Sequence, residues 1–342
     1  MNDKTIFIYC WATMGGVERV LLNRAEAFKI LGCDFRFDVH FLHDCGGLSN
    51  FKSYIDQNHL DNHIRVVNKP ILDDYNRIFV IDTPDFIHNN PEFSSKIFAE
   101  CHSGYAENRG YLKTIPEGIA GIIAPSDHFA RTIESELPNQ KYRVSILRNT
   151  LPQFPIIDKA IQPLPWTKGF LFYIGRIDYL KNVGEILNAC LHLRLKYNLD
   201  PIFVAVGHEP EQGNLRHHAA KIGMDGNLAL LPSIPFHNTN YFLQAAALAG
   251  GIYVSASKAE SFGLSVAEAL VMGVPLVLSN IPAHRAFVEA GGVFLFDNGK
   301  HDSFGQAMLN ALEWNTTSQR SDYWQSNLAP HHFLSDWNKL FN

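Results

Sequence analysis

Short apolar runs and stretches of helical spacing alternate along the chain. The first pair is the apolar run at residues 6–10 and the segment 17–31, where apolar side chains recur every three or four positions. Similar patterns predict further strands at 37–42, 77–81, 121–124, 170–175, 201–206, 227–231, 252–255, 275–279 and 293–296, and helices at 183–197, 240–249, 264–272 and 283–290. Strands that alternate with helices are typical of βαβ units, so the pattern predicts an α/β protein with parallel sheets.

Residues 151–169 interrupt this alternation, because the stretch contains four prolines and has no clear period. We interpret it as a linker between two domains. The predicted parts are an N-terminal domain at 1–155, a linker at 156–168, a C-terminal domain at 169–328 and a final helix at 329–342. In that helix Phe333 and Trp337 are four residues apart and share one apolar face. The sequence leaves open which domain this face packs on.

Composition and charge narrow the class of protein. A length of 342 residues suits two domains, and a hydrophobic content of 46% is typical of a globular chain. The net charge of −5 argues against a nucleic-acid binder, which usually carries a basic excess. The five cysteines are widely spaced and form no C-x-x-C pair, which favours reduced thiols in a cytoplasmic protein over a zinc site or disulfides. We expect neither a signal peptide nor a membrane-spanning segment.

Two cations follow one predicted strand of the second half. Arg176 comes directly after Gly175, and Lys181 follows five residues later. Ligands bind at the carboxyl ends of strands in open parallel sheets. An arginine that grips oxygens bidentately and a lysine that acts as a point charge suit a diphosphate there. On the residues alone, two solvated surface cations are an equal alternative.

Two carboxylates flank the start of the predicted helix at 264–272. Glu260 precedes the helix and Glu268 lies about one turn inside it, so both could face one cleft and bind sugar or ribose hydroxyls. Gly263 lets the backbone approach a ligand, and the amides at the helix start form an anion site. The alternatives are a solvent-facing Glu268 and a Glu260 that only favours the helix dipole.

Three segments of the second half resemble the C-terminal half of GT-B glycosyltransferases, specifically the large retaining family 4. They are the G-R-x4-K run at 175–181, the E-S-F-G-L-x3-E-A-L run at 260–270 and the G-V-P-L-V run at 273–277. The resemblance extends over nearly the whole chain but is less specific in the N-terminal half. It implies a GT-B fold, in which two Rossmann-like, doubly wound domains face a cleft and the C-terminal helix crosses back to the N-terminal domain.

The resemblance also implies roles for the residues of the second half. Arg176 and Lys181 would neutralise the donor diphosphate, and Glu268 would bind the ribose hydroxyls. Glu260 would bind hydroxyls of the donor sugar. The backbone of Phe262, Gly263 and Leu264 would approach the sugar and the phosphates. Because fixed cations stabilise the departing diphosphate, no metal ion or other cofactor is expected.

In the N-terminal half, the resemblance implies that Gly15 and Gly16 line the cleft near the diphosphate. It places His102 near the 6-position of the donor sugar and the reacting carbon. A simple tight turn and a structural histidine are the alternatives. Two positions depart from the family pattern: Thr150 replaces the usual glycine after Asn149, and Glu209 stands where the G-x-G turn that begins at Gly207 has its second glycine.

The expected function is a retaining glycosyltransferase that uses a nucleoside-diphosphate sugar, with a UDP-sugar favoured and a GDP-sugar as the second choice. The acceptor class implied by the resemblance is a saccharide or a lipid-linked saccharide of bacterial surface polysaccharide synthesis. The expected location is cytoplasmic, with peripheral membrane contact left open and no nucleic-acid partner. Two alternatives stand beside this function. One is a non-catalytic nucleotide-sugar-binding subunit, and the other is a GT-B relative such as an epimerase or an inverting transferase.

Overall fold

Two parallel sheets, one in each half of the chain, form the framework of the computed structural model. The structure describes residues 4–137, 142–153, 160–166, 169–209, 213–314 and 319–341. The chain divides into two compact units. Unit 1 comprises Met1–Gln153 together with Asn327–Asn342, and unit 2 comprises Phe154–Ser326.

Unit 1 is built on a sheet of seven parallel strands in the order β3-β2-β1-β4-β5-β6-β7. The strands are β1 (Thr5–Ala12), β2 (Phe37–Asp44), β3 (Ile64–Val66), β4 (Arg77–Ile81), β5 (Ile97–Glu100), β6 (Gly121–Ala124) and β7 (Val144–Ile146). The helices are α1 (Gly16–Ile30), α2 (Leu48–Gln57), α3 (Pro84–Asn89) and α4 (Asp127–Glu136). The order of the strands reverses direction at β1, as in a doubly wound fold.

Unit 2 contains a second parallel sheet, in the order β10-β9-β8-β11-β12-β13. The strands are β8 (Leu171–Ile174), β9 (Phe203–Val206), β10 (Leu228–Leu231), β11 (Ile252–Ser255), β12 (Leu276–Ser279) and β13 (Val293–Phe296). The helices are α5 (Val183–Tyr197), α6 (Asn214–Lys221), α7 (Phe236–Leu248), α8 (Leu264–Val271), α9 (Pro282–Arg285), α10 (His301–Glu313) and α11 (Gln319–Tyr323). The predicted α/β class with two doubly wound parallel sheets is confirmed.

The C-terminal helix α12 (Pro330–Lys339) belongs to unit 1. Trp337 stacks on Phe79 of β4 with ring centroids 5.6 Å apart, and Phe333 packs edge-on against Phe28 of α1 at 5.2 Å. The Arg148 guanidinium pairs with the Asp336 carboxylate at 2.5 Å. The apolar face predicted from the sequence therefore packs on the N-terminal sheet, which the sequence had left open.

Thr150, which replaces the family's glycine, attaches the C-terminal segment of unit 1. Its hydroxyl donates to the carbonyl oxygen of Leu328 at 2.6 Å, and the Leu151 amide donates to the same oxygen at 2.9 Å. The side-chain amide of Asn23 in turn donates to the Thr150 carbonyl oxygen at 2.8 Å. A glycine here could not supply the hydroxyl, so this departure from the family pattern has a structural reason.

Some element boundaries differ from the sequence prediction. The helix predicted at 283–290 is divided into α9 and a short 3-10 turn at Val288–Ala290, and α7 begins four residues before the prediction. The three-residue strands β3 and β7 are too short to show a period. The predicted linker at 156–168 lies partly outside the described residues. In its described part the Leu164 amide donates to the Ala245 carbonyl oxygen at 3.1 Å.

No helix within the described residues is long and apolar enough to cross a bilayer. All five cysteines are free thiols.

Candidate active site

The strands β8 and β9 of unit 2 end side by side at two glycines. A Cβ atom on Gly207 would lie 1.8 Å from the carbonyl oxygen of Gly175, so only glycine permits these two backbone segments to approach so closely. The Tyr173 hydroxyl donates to the Arg176 carbonyl oxygen at 2.8 Å and fixes the turn that follows β8. Close backbone packing and this hydrogen bond therefore define the carboxyl edge of the sheet where the candidate cations begin.

The loop that carries the two cations is organised by Asp178. One oxygen of its carboxylate accepts the amide protons of Leu180 and Lys181 at 3.0 and 2.9 Å, and the other pairs with Arg176 at 3.2 Å. The Lys258 amide donates to the Leu180 carbonyl oxygen at 3.0 Å and joins this loop to the loop after β11. Arg176 itself is exposed over 61% of its side chain, so it can reach a ligand.

Lys181 and Glu260 form the centre of the unit 2 site. The Lys181 ammonium lies 2.6 Å from the Glu260 carboxylate, and the Ser257 hydroxyl donates to the same carboxylate oxygen at 2.8 Å. Burial alone raises the pKa of Glu260, but the Lys181 charge and hydrogen bond outweigh burial and hold this pKa below its ordinary value. Two groups that the sequence assigns to one donor are thus in direct contact, although 79 positions separate them.

The Ser257 backbone is held in turn by the end of β12. The Ser279 hydroxyl donates to the Ser257 carbonyl oxygen at 2.7 Å. The loop that carries Glu260 is therefore attached both to the Arg176–Lys181 loop and to a neighbouring strand.

Helix α8 starts at Gly263, whose φ of +94° lies in the left-handed region. The Ser265 hydroxyl, in the first turn, lies 2.8 Å from the Tyr253 hydroxyl. Burial raises the pKa of Tyr253, and the charges of Glu260 and Glu268 add to the rise. Glu268 is only 9% exposed, which excludes the solvent-facing alternative. Both carboxylates thus act electrostatically on one buried hydroxyl beside the helix start.

The loop after β9 shows what replaces the family's second glycine. The Glu209 carboxylate accepts the amide protons of Gly213 and Leu215 at 3.0 and 2.6 Å, and so caps α6. The side chain at this position is therefore used inside unit 2.

The Gly15–Gly16 turn of unit 1 closes around a carboxylate. Gly15 is the N-cap of α1 and Gly16 is its first residue. Glu18, which is fully buried, accepts the amide protons of Thr13, Met14 and Gly15 at 2.5, 2.8 and 3.0 Å. Three amides of this turn, those of Thr13, Met14 and Gly15, are thus already bonded within unit 1. Sequence reasoning missed Glu18, although a glutamate three residues after an N-cap is the signal of a capping box.

His102 lies two residues after the end of β5, at the carboxyl edge of the unit 1 sheet. Its Nε2 lies 2.6 Å from Glu100 Oε1, and its backbone N–H donates to both oxygens of Asp82 at 3.0 and 3.2 Å. The guanidinium of Arg24 binds both oxygens of Glu100 at 2.5 and 3.1 Å. The ring of His102 is therefore fixed by a buried ion pair.

The pKa of Glu100 reflects these neighbours. Burial alone raises it, but the charge of Arg24 and the hydrogen bond from His102 outweigh burial and bring it down to about 2. Sequence reasoning missed both Arg24 and Glu100. For Glu100 a signal was present, because it is the charged residue of an otherwise apolar strand. Arg24 is one of five charged residues of α1, so the sequence does not single it out.

The predicted site residues thus form two groups. Gly15, Gly16 and His102 belong to unit 1. Arg176, Lys181, Glu260, Phe262, Gly263, Leu264 and Glu268 belong to unit 2. Within the described residues, no group of three or more His, Cys, Asp or Glu side chains is arranged to hold a metal ion.

The C-terminal half of the chain is similar to known glycosyltransferases. The family model for glycosyl transferases group 1 matches residues 156–327, which is 172 of the 342 residues. A curated relative, O-antigen chain mannosyltransferase B of Escherichia coli, is 25% identical over 169 residues. That match covers 49% of this chain and 42% of the relative, so the chain matches less than half the length of that protein.

Solved structures share the fold over the whole chain. Anabaena HepE, in complex with UDP and glucose, superposes with a TM-score of 0.73 at 14% identity and with 98% of each chain covered. S. aureus TarM superposes with a TM-score of 0.75 at 12% identity and with 99% of each chain covered. The chain has the GT-B fold and belongs to the glycosyl transferases group 1 family.

Proposed function

We propose that this protein is a retaining glycosyltransferase that moves a sugar from a nucleoside-diphosphate donor to a saccharide or lipid-linked saccharide acceptor. The observation that carries the proposal is the Lys181–Glu260 contact at the carboxyl edge of the unit 2 sheet. A cation for a diphosphate and a carboxylate for sugar hydroxyls are side by side there, as a nucleotide sugar requires.

In this proposal the donor replaces contacts that are already present. Its diphosphate takes a share of the Lys181 charge, while its sugar hydroxyls donate to Glu260. Arg176, which is exposed and paired with Asp178, turns to the phosphate oxygens. Since fixed cations meet the charge that develops on the leaving diphosphate, they lower the barrier more than they tighten substrate binding.

The start of α8 supplies the remaining donor contacts. Backbone amides at Gly263 and Leu264 approach the phosphates, and the helix N-terminus favours their negative charge. Glu268 accepts hydrogen bonds from the two ribose hydroxyls. These hydrogen bonds are strong because the carboxylate is charged and nearly buried. Phe262 contributes its backbone beside the sugar. In unit 1, Gly15 and Gly16 are assigned to the surroundings of the diphosphate. His102 is assigned to the 6-position of the donor sugar and the reacting carbon.

The acceptor hydroxyl attacks the anomeric carbon on the face that the diphosphate leaves. Its oxygen forms the new glycosidic bond, the bond from the anomeric carbon to the phosphate oxygen breaks, and the proton passes to the departing phosphate. The configuration at the anomeric carbon is therefore retained. This route needs no carboxylate on the opposite face of the sugar.

A UDP-sugar is the favoured donor, because Anabaena HepE was solved with UDP and glucose; a GDP-sugar is the second choice. The E. coli relative acts on an O-antigen chain, which supports a role in bacterial surface polysaccharide synthesis. Free thiols suit the reducing cytoplasm, which we propose as the place of action, with peripheral contact at the inner face of the membrane.

Transfer from UDP-glucose and GDP-mannose to a panel of alkyl glycosides tests the proposal. Proton NMR of the product should show the anomeric configuration of the donor. An inverted product would contradict the retaining mechanism, and an altered but untransferred sugar would favour the epimerase. Wild-type rates in Lys181→Ala, Glu260→Ala and His102→Ala alike would contradict the assigned site. Lys196→Ala, which changes an exposed lysine of the same unit, is the control.

A further inference from the structure

Three buried charged or titratable side chains form a line behind the carboxyl edge of the unit 1 sheet. Arg24 of α1, Glu100 of β5 and His102 have side chains that are 1%, 0% and 7% exposed. Glu100 Oε1 accepts from both neighbours, from the Arg24 guanidinium at 2.5 Å and from the His102 ring at 2.6 Å. Burying two charges carries a large desolvation cost, so stability alone is a weak explanation for this ion pair. We therefore consider the side chain that it holds in place, His102.

The carboxylate decides which ring nitrogen of His102 carries a proton. With Arg24 beside it, Glu100 is ionised at neutral pH and can only accept hydrogen bonds. The contact at 2.6 Å therefore requires a proton on Nε2 of His102. In the neutral ring this leaves Nδ1 as the nitrogen with a lone pair.

The backbone of His102 is held by a second carboxylate. Asp82, at the end of β4, accepts the His102 amide proton, and the Tyr111 hydroxyl donates to Asp82 at 3.4 Å. Burial raises the pKa of Asp82, while the charge of His102 and its amide lower it in part. The adjacent Cys101 thiol faces the same carboxylate. Ring and backbone of His102 are thus fixed from two sides.

Arg24 is itself held by aromatic rings. Its guanidinium carbon lies 5.3 Å from the centre of the Phe7 ring and 5.9 Å from that of Phe333 on α12. Arginine packs well on aromatic faces, so β1 and the C-terminal helix together fix the cation that holds Glu100.

We propose that Glu100 is a positioning residue, which with Arg24 fixes His102 in the Nε2–H form so that Nδ1 accepts a hydrogen bond from a sugar hydroxyl of the substrate. The proposal rests on the proposed function, because it takes His102 as a residue of the transfer reaction. Hydrogen-bond partners that orient metal-bound histidines typically contribute ten- to a hundred-fold to metal affinity or activity, and we expect an effect of that order here.

The first arm of the test needs no substrate. In spectra of 15N-histidine-labelled protein, His102 is assigned as the signal that is missing in His102→Ala. We expect a downfield, slowly exchanging Nε2–H proton in the wild type. It should disappear in the double variant Arg24→Met with Glu100→Leu, which removes the acceptor and leaves no unpaired buried charge. A wild type without this proton overturns the proposal.

The second arm is a kinetic cycle. The double variant should lower kcat about ten- to a hundred-fold when His102 is present and should change nothing in the His102→Ala background. An equal loss in both backgrounds would show a purely structural role and overturn the proposal. Single Glu100→Gln, which keeps an acceptor oxygen, should recover part of the loss.

Two controls separate this inference from the proposed function. Arg65→Met with Asp38→Leu removes another ion pair of unit 1, at 2.7 Å, and should leave kcat unchanged. A wild type that shows the Nε2–H proton but transfers no sugar from any donor contradicts the proposed function. If the wild type transfers sugar and the double variant is equally active, the positioning role alone is contradicted.

Discussion

The two sheets carry their charged groups differently at the carboxyl edge. In unit 2 the side chains of Arg176, Lys181 and Glu260 are 61%, 20% and 15% exposed, and each takes part in an ion pair, Lys181 with Glu260 and Arg176 with Asp178. In unit 1 the corresponding carboxylates, Glu18 and Glu100, are fully buried. Their partners are backbone amides or a buried arginine of the same unit.

This difference in exposure decides which charged groups can exchange a protein partner for a ligand. A charge that solvent reaches can exchange its partner for a ligand at low cost, whereas a buried charge cannot lose its partner without a large penalty. The groups of unit 2 are therefore the ones to which the proposed function assigns the donor. Those of unit 1 hold the Gly15 turn and the ring of His102.

The largest effect on this comparison should come from Arg24→Ala. The change leaves the Glu100 carboxylate buried without its cation, which typically costs about 3–5 kcal/mol of unfolding free energy. Urea denaturation measures the loss. Lys4→Ala removes an exposed pair with Asp74 in the same unit and should cost less than about 1 kcal/mol. Equal costs for both variants would contradict a buried support in unit 1.

Lys181→Ala should act on turnover instead of stability. Because the donor diphosphate loses a fixed cation, kcat should fall about 10²–10³-fold, as when an enzyme loses one donor to a developing anion. Steady-state kinetics with the active donor measures it, and Lys196→Ala is the control. A large loss of stability with unchanged kcat would place Lys181 among structural pairs and remove the contrast between the units.

Glu18→Ala should have a smaller effect than Arg24→Ala. Three amides of the Gly15 turn lose their acceptor, but they belong to exposed or half-buried residues, so water replaces part of the lost hydrogen bonds. We expect a total cost of about 1–3 kcal/mol. Glu18→Gln keeps one acceptor oxygen and should recover part of this free energy. The measurement is again urea denaturation. If both variants are as stable as wild type, the turn does not depend on its buried carboxylate.

The sequence predicts unit 2 better than unit 1, for a physical reason. The motif from Glu260 to Glu268 is local, since a strand end, a left-handed glycine and a helix start follow one another within a few residues. The partners Arg24 and Glu100 are 76 positions apart, and only the folded sheet brings them together. The docking of α12 is similar, because the apolar face of Phe333 and Trp337 looks the same whichever domain it covers.

For the same reason, the sequence alone does not show what the departures from the family pattern do in the structure. Thr150 and Glu209 stand where glycines are usual, and the sequence could show only what was absent. The structure shows that each side chain makes new hydrogen bonds, Thr150 to the C-terminal segment and Glu209 to the start of α6. Such gains depend on distant backbone positions, which no local pattern contains.

In the proposed function, unit 2 binds a nucleoside diphosphate through Glu268 and the neighbouring cations. Thermal denaturation with UDP, GDP, ADP and CDP tests this binding in the wild type, in Glu268→Gln and in Glu289→Gln, which changes an exposed glutamate of the same unit. A nucleotide at one hundred times its Kd should stabilise the protein by about 2.7 kcal/mol. We predict that one nucleotide, UDP before GDP, raises the Tm of wild type and of Glu289→Gln but not of Glu268→Gln; unchanged Tm values with all four nucleotides would contradict the account.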